Sequence, residues 1–106
     1  MQLAGGIGLS ANQVGLEWRM FIANYRNKFY AIFDPVISKH SVEKETLEEG
    51  CLSIPETFVE VPRYLWITLE GLDQNGKKIK IRTSGIMARI FQHELDHLNG
   101  KLITDY

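Results

Sequence analysis

Cysteine is almost absent from the sequence, which has a single one, at position 51. A lone cysteine excludes an internal disulfide. No apolar run approaches the roughly 18–20 residues that a membrane-spanning helix needs, and the first residues lack the basic and apolar regions of a secretory signal. We therefore expect a soluble protein of a reducing compartment, the cytoplasm.

Charge of one sign is also lacking, because 12 basic and 13 acidic residues leave a net charge of -1. No general attraction to nucleic acid or to an anionic membrane is expected. The chain of 106 residues has room for one domain and is too short for two. With 44% hydrophobic residues it can form a core. Since repeats and linkers are missing, we expect a single domain over residues 1–106.

Hydrophobic alternation predicts strands in most of the chain. The segment 18–23 reads as a strand that pairs with 29–33, and Pro35 is expected to end the second strand, because proline cannot donate to a ladder. The segment 41–49 is a loop or an exposed strand. The small residues of 4–11 predict a loop that something approaches closely. A hairpin follows later, in which strands around 65–69 and 79–81 flank an Asn75-Gly76 turn.

The last part of the chain predicts a helix from Gly85 to Asn99, with Ser84 as its N-cap and Gly100 beyond its end. A helical wheel at about 100° per residue puts Arg89 in a polar sector at the solvent edge, together with Gln92 and Asp96. Apolar side chains occupy most of the remaining circumference, so strands should surround the helix. The fold class expected is α+β, with mainly antiparallel sheets packed around one central C-terminal helix.

That helix carries the pattern His-Glu-x-x-His as His93, Glu94 and His97. Histidines at i and i+4 stand on one helix face and can reach one divalent cation. A glutamate after the first histidine is the usual general base of such sites. The alternative is a pair of surface histidines beside an exposed acid. Because Ile86 and Ile90 adjoin the pair on the wheel, ligation is favoured.

A catalytic metal site needs a third protein ligand and an open position. No histidine or suitably placed acid follows His97, so the third ligand has to lie upstream. Cys51 has three interpretations: an inert core thiol, a reactive nucleophile, or a ligand that binds metal as thiolate. Gly50 beside it allows a close backbone approach.

Three segments together resemble the motifs of the peptide deformylase family, in the family's order. They are Gly6-Ile7-Gly8-Leu9-Ser10-Ala11-Asn12-Gln13, Glu49-Gly50-Cys51-Leu52-Ser53 and His93-Glu94-Leu95-Asp96-His97. The stretches Phe33-Asp34-Pro35 and Ile54-Pro55-Glu56 also match. The first segment alone also fits a dinucleotide fingerprint, but too little chain precedes it for the strand that such a site requires.

The resemblance implies that Cys51, His93 and His97 bind one divalent metal, with Glu94 as the proton carrier. The backbone N–H of Leu52 and the side-chain amide of Gln13 would stabilise the oxyanion. Ferrous iron is the metal expected in the cell, and zinc, nickel or cobalt are alternatives. The activity implied is hydrolysis of the formyl group from N-terminal formyl-methionine of nascent peptides, with release of formate.

The same resemblance implies the peptide-binding residues, which combine an apolar methionine pocket with strand-like backbone pairing. These are Ile7, Gly8, Leu47, Glu49, Gly50, Ile86 and Ile90. For the isoleucines, plain core packing is an equal alternative. Expected partners are N-formylmethionyl peptides and no nucleic acid or membrane. A monomer is expected, with a dimer as the alternative.

The chain departs from the family pattern at its ends and at three positions. Members begin well before the first motif, and long members carry a C-terminal helix that docks on the ribosome. Because the first motif starts near Met1 and the chain stops at Tyr106, we expect a minimal or truncated form with a doubtful ribosome contact. Ser10, Arg89 and Phe58 replace residues common in the family. Arg89 is expected to border the pocket mouth.

Two other functions compete with deformylation. A small zinc peptidase could use the same helix, but it lacks a downstream third ligand. A metal-stabilised or peptide-binding module without activity would need neither Glu94 nor Gln13, and both are present.

Overall fold

The computed structural model describes residues 2–3, 6–10, 19–51 and 54–101. Within these ranges eight strands precede one helix. The strands are β1 (Gln2–Leu3), β2 (Gly6–Ser10), β3 (Met20–Tyr25), β4 (Lys28–His40), β5 (Lys44–Cys51), β6 (Ile54–Tyr64), β7 (Trp66–Leu72) and β8 (Lys78–Ser84), and the helix is α1 (Gly85–Leu98).

The strands form two antiparallel sheets. Six strands pair in the order β1-β2-β3-β4-β7-β8, while β5 and β6 pair as a separate two-stranded sheet. The helix packs against both, with its main contacts on β2 and β3. The predicted α+β architecture, with antiparallel strands and one C-terminal helix, is confirmed.

The two predicted hairpins are present. β3 and β4 are joined by a turn in which Arg26 and Asn27 both have positive φ, 49° and 64°. β7 and β8 are joined by the predicted turn, where Gly76 has φ 78° and Asp73 accepts the backbone N–H of Gly76 at 3.0 Å. Local turn chemistry was therefore a sound guide to these two connections.

Two predictions from glycine and proline were wrong. The segment Gly6–Ser10 is a strand and not a loop, since it pairs with β3, with Gly8 opposite Ala23. Pro35 does not end a strand, because β4 continues through it to His40. The ladder with β7 shifts register between Phe33 and Val36. A bulge of this kind accommodates a residue that cannot donate a ladder hydrogen bond.

The helix begins at Gly85 as predicted and ends at Leu98. Ser84 is its N-cap in extended conformation, with no side-chain capping hydrogen bond, and Gly100 follows the helix with φ 80°. Among the described residues, no helix has the length and apolarity that crossing a membrane requires.

The core lies between α1 and the six-stranded sheet. Phe91 is at its centre, with its ring 5.4 Å from those of Phe21 and Tyr30. The buried hydrophobic cluster comprises Phe21, Ala23, Ile32, Ile67, Leu69, Met87, Ala88, Ile90, Phe91 and Leu95. This packing fixes the rotation of the helix, and so decides where its histidines point.

The predicted solvent edge of the helix was wrong for Arg89 and Gln92. Their relative exposures are only 3% and 5%, because the β5–β6 sheet covers this side of α1. Asp96 is partly exposed. Arg89 therefore does not stand at a solvent edge, and its guanidinium lies among buried polar groups.

Candidate metal centre and catalytic site

His93 and His97 meet as the helical spacing predicts. Both are buried, and their Nε2 atoms lie 3.0 Å apart. Two nitrogens at that separation can both reach one divalent cation about 2 Å from each. Within the described residues no group of three metal-ligating side chains is found, and the side chain of Cys51 lies outside that part of the structure. The geometry of the pair is thus suited to two of the ligands that a catalytic site needs.

The other nitrogen of His93 is held by Glu49. Its Nδ1 lies 2.8 Å from Glu49 Oε1. Because an ionised carboxylate only accepts hydrogen bonds, Nδ1 of His93 carries a proton, and Nε2 is the nitrogen that faces His97. A carboxylate on the far nitrogen is the usual partner of a metal-binding histidine. The arrangement fits metal binding by His93.

Glu49 is fully buried, at 0% exposure, and remains ionised. Burial alone would raise the pKa of its carboxyl, but hydrogen bonds from His93 and Arg63 outweigh burial and hold the pKa at about 2. Arg63 donates twice, from Nη2 at 2.9 Å and from Nε at 3.0 Å. Arg89 Nη1 donates to the second oxygen. The carboxylate is thus a fixed anion behind the histidine pair.

His97 is kept neutral at physiological pH. Burial, followed by the proximity of His93, lowers the pKa of its imidazole to about 4. Only a neutral imidazole has a nitrogen lone pair for a metal. The environment therefore prepares this ring for ligation across the neutral range.

Glu94 lies on the same helix turn and has 0% exposure. The backbone of Gly8 packs directly against it: a Cβ added at Gly8 would lie 2.6 Å from Glu94 Oε2 and 2.8 Å from Ile90 Cγ2. This is the close approach predicted for the glycine segment, made here by a strand. The structure therefore brings β2 and the carboxylate of Glu94 into contact.

The remaining predicted catalytic residues are only partly described. Cys51 is the last residue of β5 and pairs with Ile54. Gln13 and Leu52 lie outside the described residues. Their predicted roles stay predictions.

The predicted peptide-binding residues lie on three elements. Ile7 and Gly8 are in β2, where the side chain of Ile7 is not among those described, and Leu47, Glu49 and Gly50 are in β5. Leu47 is partly exposed and stands opposite Val61. Ile86 is half-buried, whereas Ile90 belongs to the core.

Arg63 was overlooked in the sequence, although a signal for it was present. Val59 and Val61 alternate with Glu60 along β6, and the same period of two places Arg63 on the inward face. A buried arginine requires an acid partner, which would have directed attention to Glu49.

Comparison with known proteins decides the family. The model of the polypeptide deformylase family matches residues 1–106. The chain belongs to the polypeptide deformylase family. A curated peptide deformylase from Treponema pallidum (strain Nichols) is 43% identical over 105 residues, covering 99% of this chain and 65% of the relative. The chain thus spans slightly less than two thirds of that deformylase.

Solved deformylases have the same fold. The peptide deformylase of Thermotoga maritima is 43% identical with a TM-score of 0.90, covering 93% of this chain and 67% of that chain. A deformylase from a Vibrio parahaemolyticus bacteriophage, solved in complex with actinonin, is 38% identical with a TM-score of 0.88, covering 94% and 73%. Deformylases are metalloenzymes, which agrees with the donor set of the histidine pair.

Proposed function

We propose that this chain is a metal-dependent peptide deformylase, which hydrolyses the formyl group from N-terminal formyl-methionine and releases formate. The observation that carries the proposal is the turn of α1 where the two Nε2 atoms lie 3.0 Å apart beside the buried Glu94, in a chain of this family.

The proposed ligands are Cys51, His93 and His97. Ferrous iron is the metal we expect in the cell, and zinc, nickel or cobalt can substitute for it. When bound, the divalent ion would supply Lewis-acid chemistry that lowers the pKa of water toward neutrality. Glu49 contributes by fixing the tautomer of His93 through the 2.8 Å contact to Nδ1.

Glu94 is the proposed proton carrier. Its carboxylate accepts the proton of the attacking water and then delivers it to the nitrogen of the leaving peptide. Close packing by the Gly8 backbone restricts where the carboxylate can move. A carboxylate held in this way is ready for proton transfer without a large rearrangement.

The oxyanion of the tetrahedral formyl group would accept hydrogen bonds from the Leu52 N–H and the Gln13 amide. Loss of one such donor typically lowers the rate by about 100- to 1000-fold. The peptide would pair with the backbones of Gly8 and Gly50 as an added strand. Leu47 and Ile86 would contact its methionine side chain.

Such a substrate places the protein in the compartment of protein synthesis, which is the cytoplasm. We propose a monomer that acts on nascent peptides as they emerge, with the ribosome as a candidate partner.

The test is formate release from formyl-Met-Ala by protein loaded with iron or nickel under low oxygen, with acetyl-Met-Ala as the matched control. We expect formate from the first peptide and no acetate from the second. Cleavage between the two amino acids would favour a peptidase. No reaction with either peptide, despite bound metal, would favour a module without activity.

Two variants separate the roles. Glu94→Ala should retain its metal and lose nearly all formate release, whereas Glu48→Ala, at an exposed position, should behave as the unmodified chain. Loss of metal in Glu94→Ala would instead make Glu94 a ligand. Cys51→Ala should bind metal weakly, and full metal content would remove Cys51 from the site.

A further inference from the structure

One side of α1 is polar and yet in contact with protein. Arg89, Gln92 and Asp96 follow one another at spacings of three and four residues, so they share a helix face. We call these three residues the docking face. Each of them makes a hydrogen bond to β5 or β6.

Arg89 connects α1 to both strands of the smaller sheet. Its Nη1 donates to Glu49 Oε2 and, at 3.0 Å, to the carbonyl oxygen of Val61. Its Nη2 donates to the carbonyl oxygen of Glu45. One guanidinium thus contacts β5 twice and β6 once, with all three acceptors in fixed positions.

The other two residues extend the same attachment along β6. Gln92 donates to the carbonyl oxygen of Tyr64 at 2.9 Å and accepts its N–H at 2.8 Å, as a strand backbone would. Asp96 forms an ion pair with Arg63. Arg63 in turn bonds Glu49, so the docking face and the carboxylate behind His93 form one network.

The two sheets are separate ladders that are connected near the start of β5, where the Leu65 N–H donates to the carbonyl oxygen of Glu43 at 3.4 Å and the Ser41 N–H donates to that of Trp66 at 3.0 Å. The attachment to α1 matters at the other end of β5, where Cys51 lies. Within the described residues no strand ladder joins β5 or β6 to the six-stranded sheet. β5 ends with Glu49, Gly50 and Cys51, while the histidines are on α1. The separation between the proposed cysteine ligand and the histidine ligands therefore depends on how β5 lies on the helix.

We infer that Arg89 is a positioning residue for the metal centre: its two hydrogen bonds to β5 and its one to the paired strand β6 set β5 on α1 at the distance at which Cys51 can complete the ligand set of His93 and His97. The inference rests on the proposed function, because it takes Cys51 as a ligand. Arg89 is remote from the reacting atoms in this scheme and acts through Glu49 and the β5 backbone.

Cobalt(II) alone is the probe, because its thiolate-to-metal charge-transfer band reports the Cys51 bond directly. For Arg89→Met we expect the dissociation constant for cobalt to rise by about 10- to 100-fold, as for other groups that support metal ligands. At saturating cobalt we also expect a weaker charge-transfer band per bound ion. Arg89→Lys retains the positive charge but offers one donor nitrogen in place of the planar fork, so both its dissociation constant and its band should lie between those of Arg89→Met and the unmodified chain.

Two controls distinguish positioning from general stability. Arg82→Met removes an exposed arginine and should change neither measurement. Leu69→Ala opens a cavity in the core on β7 and should destabilise the chain, yet retain the full band per bound ion. If circular dichroism shows that Arg89→Met is not folded, the test uses Arg89→Lys instead, with the same cobalt dissociation constant and charge-transfer band.

An Arg89 variant with the affinity and the band of the unmodified chain would overturn this inference and leave the proposed function intact. If the charge-transfer band of Leu69→Ala were reduced as much as that of Arg89→Met, the inference would also be overturned. Lost stability alone would then explain the reduced band in both variants. Absence of the band in the unmodified chain would remove Cys51 as ligand, and with it both the proposed ligand set and this inference.

Discussion

Gly8→Ala adds one methyl group at the contact between β2 and the carboxylate of Glu94. The new Cβ would lie 2.6 Å from Glu94 Oε2, and 2.8 Å from both Glu94 Cγ and Ile90 Cγ2. Ordinary van der Waals contact begins near 3.4 Å. The Glu94 oxygen therefore has to retreat by about 0.8 Å, in a site where both Glu94 and Ile90 are fully buried.

Two magnitudes follow from this displacement. Inserting a methyl group into a packed interior typically costs about 1–3 kcal/mol of folding stability. A shift of a catalytic group approaching 1 Å can lower the rate by about 100-fold. We therefore expect kcat/KM for formyl-Met-Ala to fall by about two orders of magnitude. Metal content should be unchanged, since the three atoms nearest to the added Cβ belong to Glu94 and Ile90 and not to a histidine.

The assay compares formate release per bound metal with the urea midpoint of the same preparation. Gly71→Ala is the matched control, because its Cβ would be equally close to Ile32 Cγ2 and to the carbonyl oxygen of Phe33, both at 2.8 Å. It should lose stability but retain activity per folded, metal-bound molecule. Gly8→Ala with activity close to that of the unmodified chain would refute the assigned role of the Gly8–Glu94 contact.

Three further predictions concern stability of the metal-free chain. Glu49→Gln removes the carboxylate that the buried Arg63 and Arg89 share, and leaves Arg63 with Asp96 alone. It should lower the free energy of unfolding by about 3–5 kcal/mol, whereas the exposed Glu48→Gln should stay within about 0.5 kcal/mol. Equal urea midpoints for the two variants would contradict the role of the buried anion. The pKa of Glu49 is about 2 when folded, against 4.5 as the ordinary value. Its stabilisation is thus complete above about pH 4.5 and is lost as pH falls toward 2, so the urea midpoint should fall more steeply there than in Glu49→Gln. Phe91→Ala should lower the free energy of unfolding by about 3–5 kcal/mol, whereas Phe29→Ala, at an exposed ring, should lower it far less. A small loss of stability in Phe91→Ala would mean that the core repacks around the vacated space.

The parts of the fold that depend on neighbouring residues were predictable from the sequence. The Asn75-Gly76 turn and the start of α1 at Gly85 depend on local backbone preferences, and both are present. The strand Gly6–Ser10 was not predictable in this way. Its glycines favour a loop locally, and it is a strand because of pairing with β3, a contact between distant segments. Pro35 was misjudged for the same reason, since only the partner strand shows the bulge.

The predictions of the site differ in the same way between features on one element and features that depend on distant segments. Helical periodicity was sufficient to predict that His93 and His97 meet, because both residues are on one element. The wheel also grouped Arg89 and Gln92 correctly, but it could not show which side of the helix a second sheet covers. Polar residues were therefore assigned to solvent. The roles of Cys51, Gln13 and Leu52 came from family resemblance and await the experiments above.

The burial of α1 has a consequence for engineering this fold. Residues 87–95 form an unbroken buried run on the helix. α1 therefore has almost no solvent-exposed surface on which charged or helix-favouring residues could be introduced. Improvements in solubility have to be sought on outward strand positions, such as the lysines of β8. Changes to the helix should be made together with their strand partners, because each of its sides meets a different neighbour.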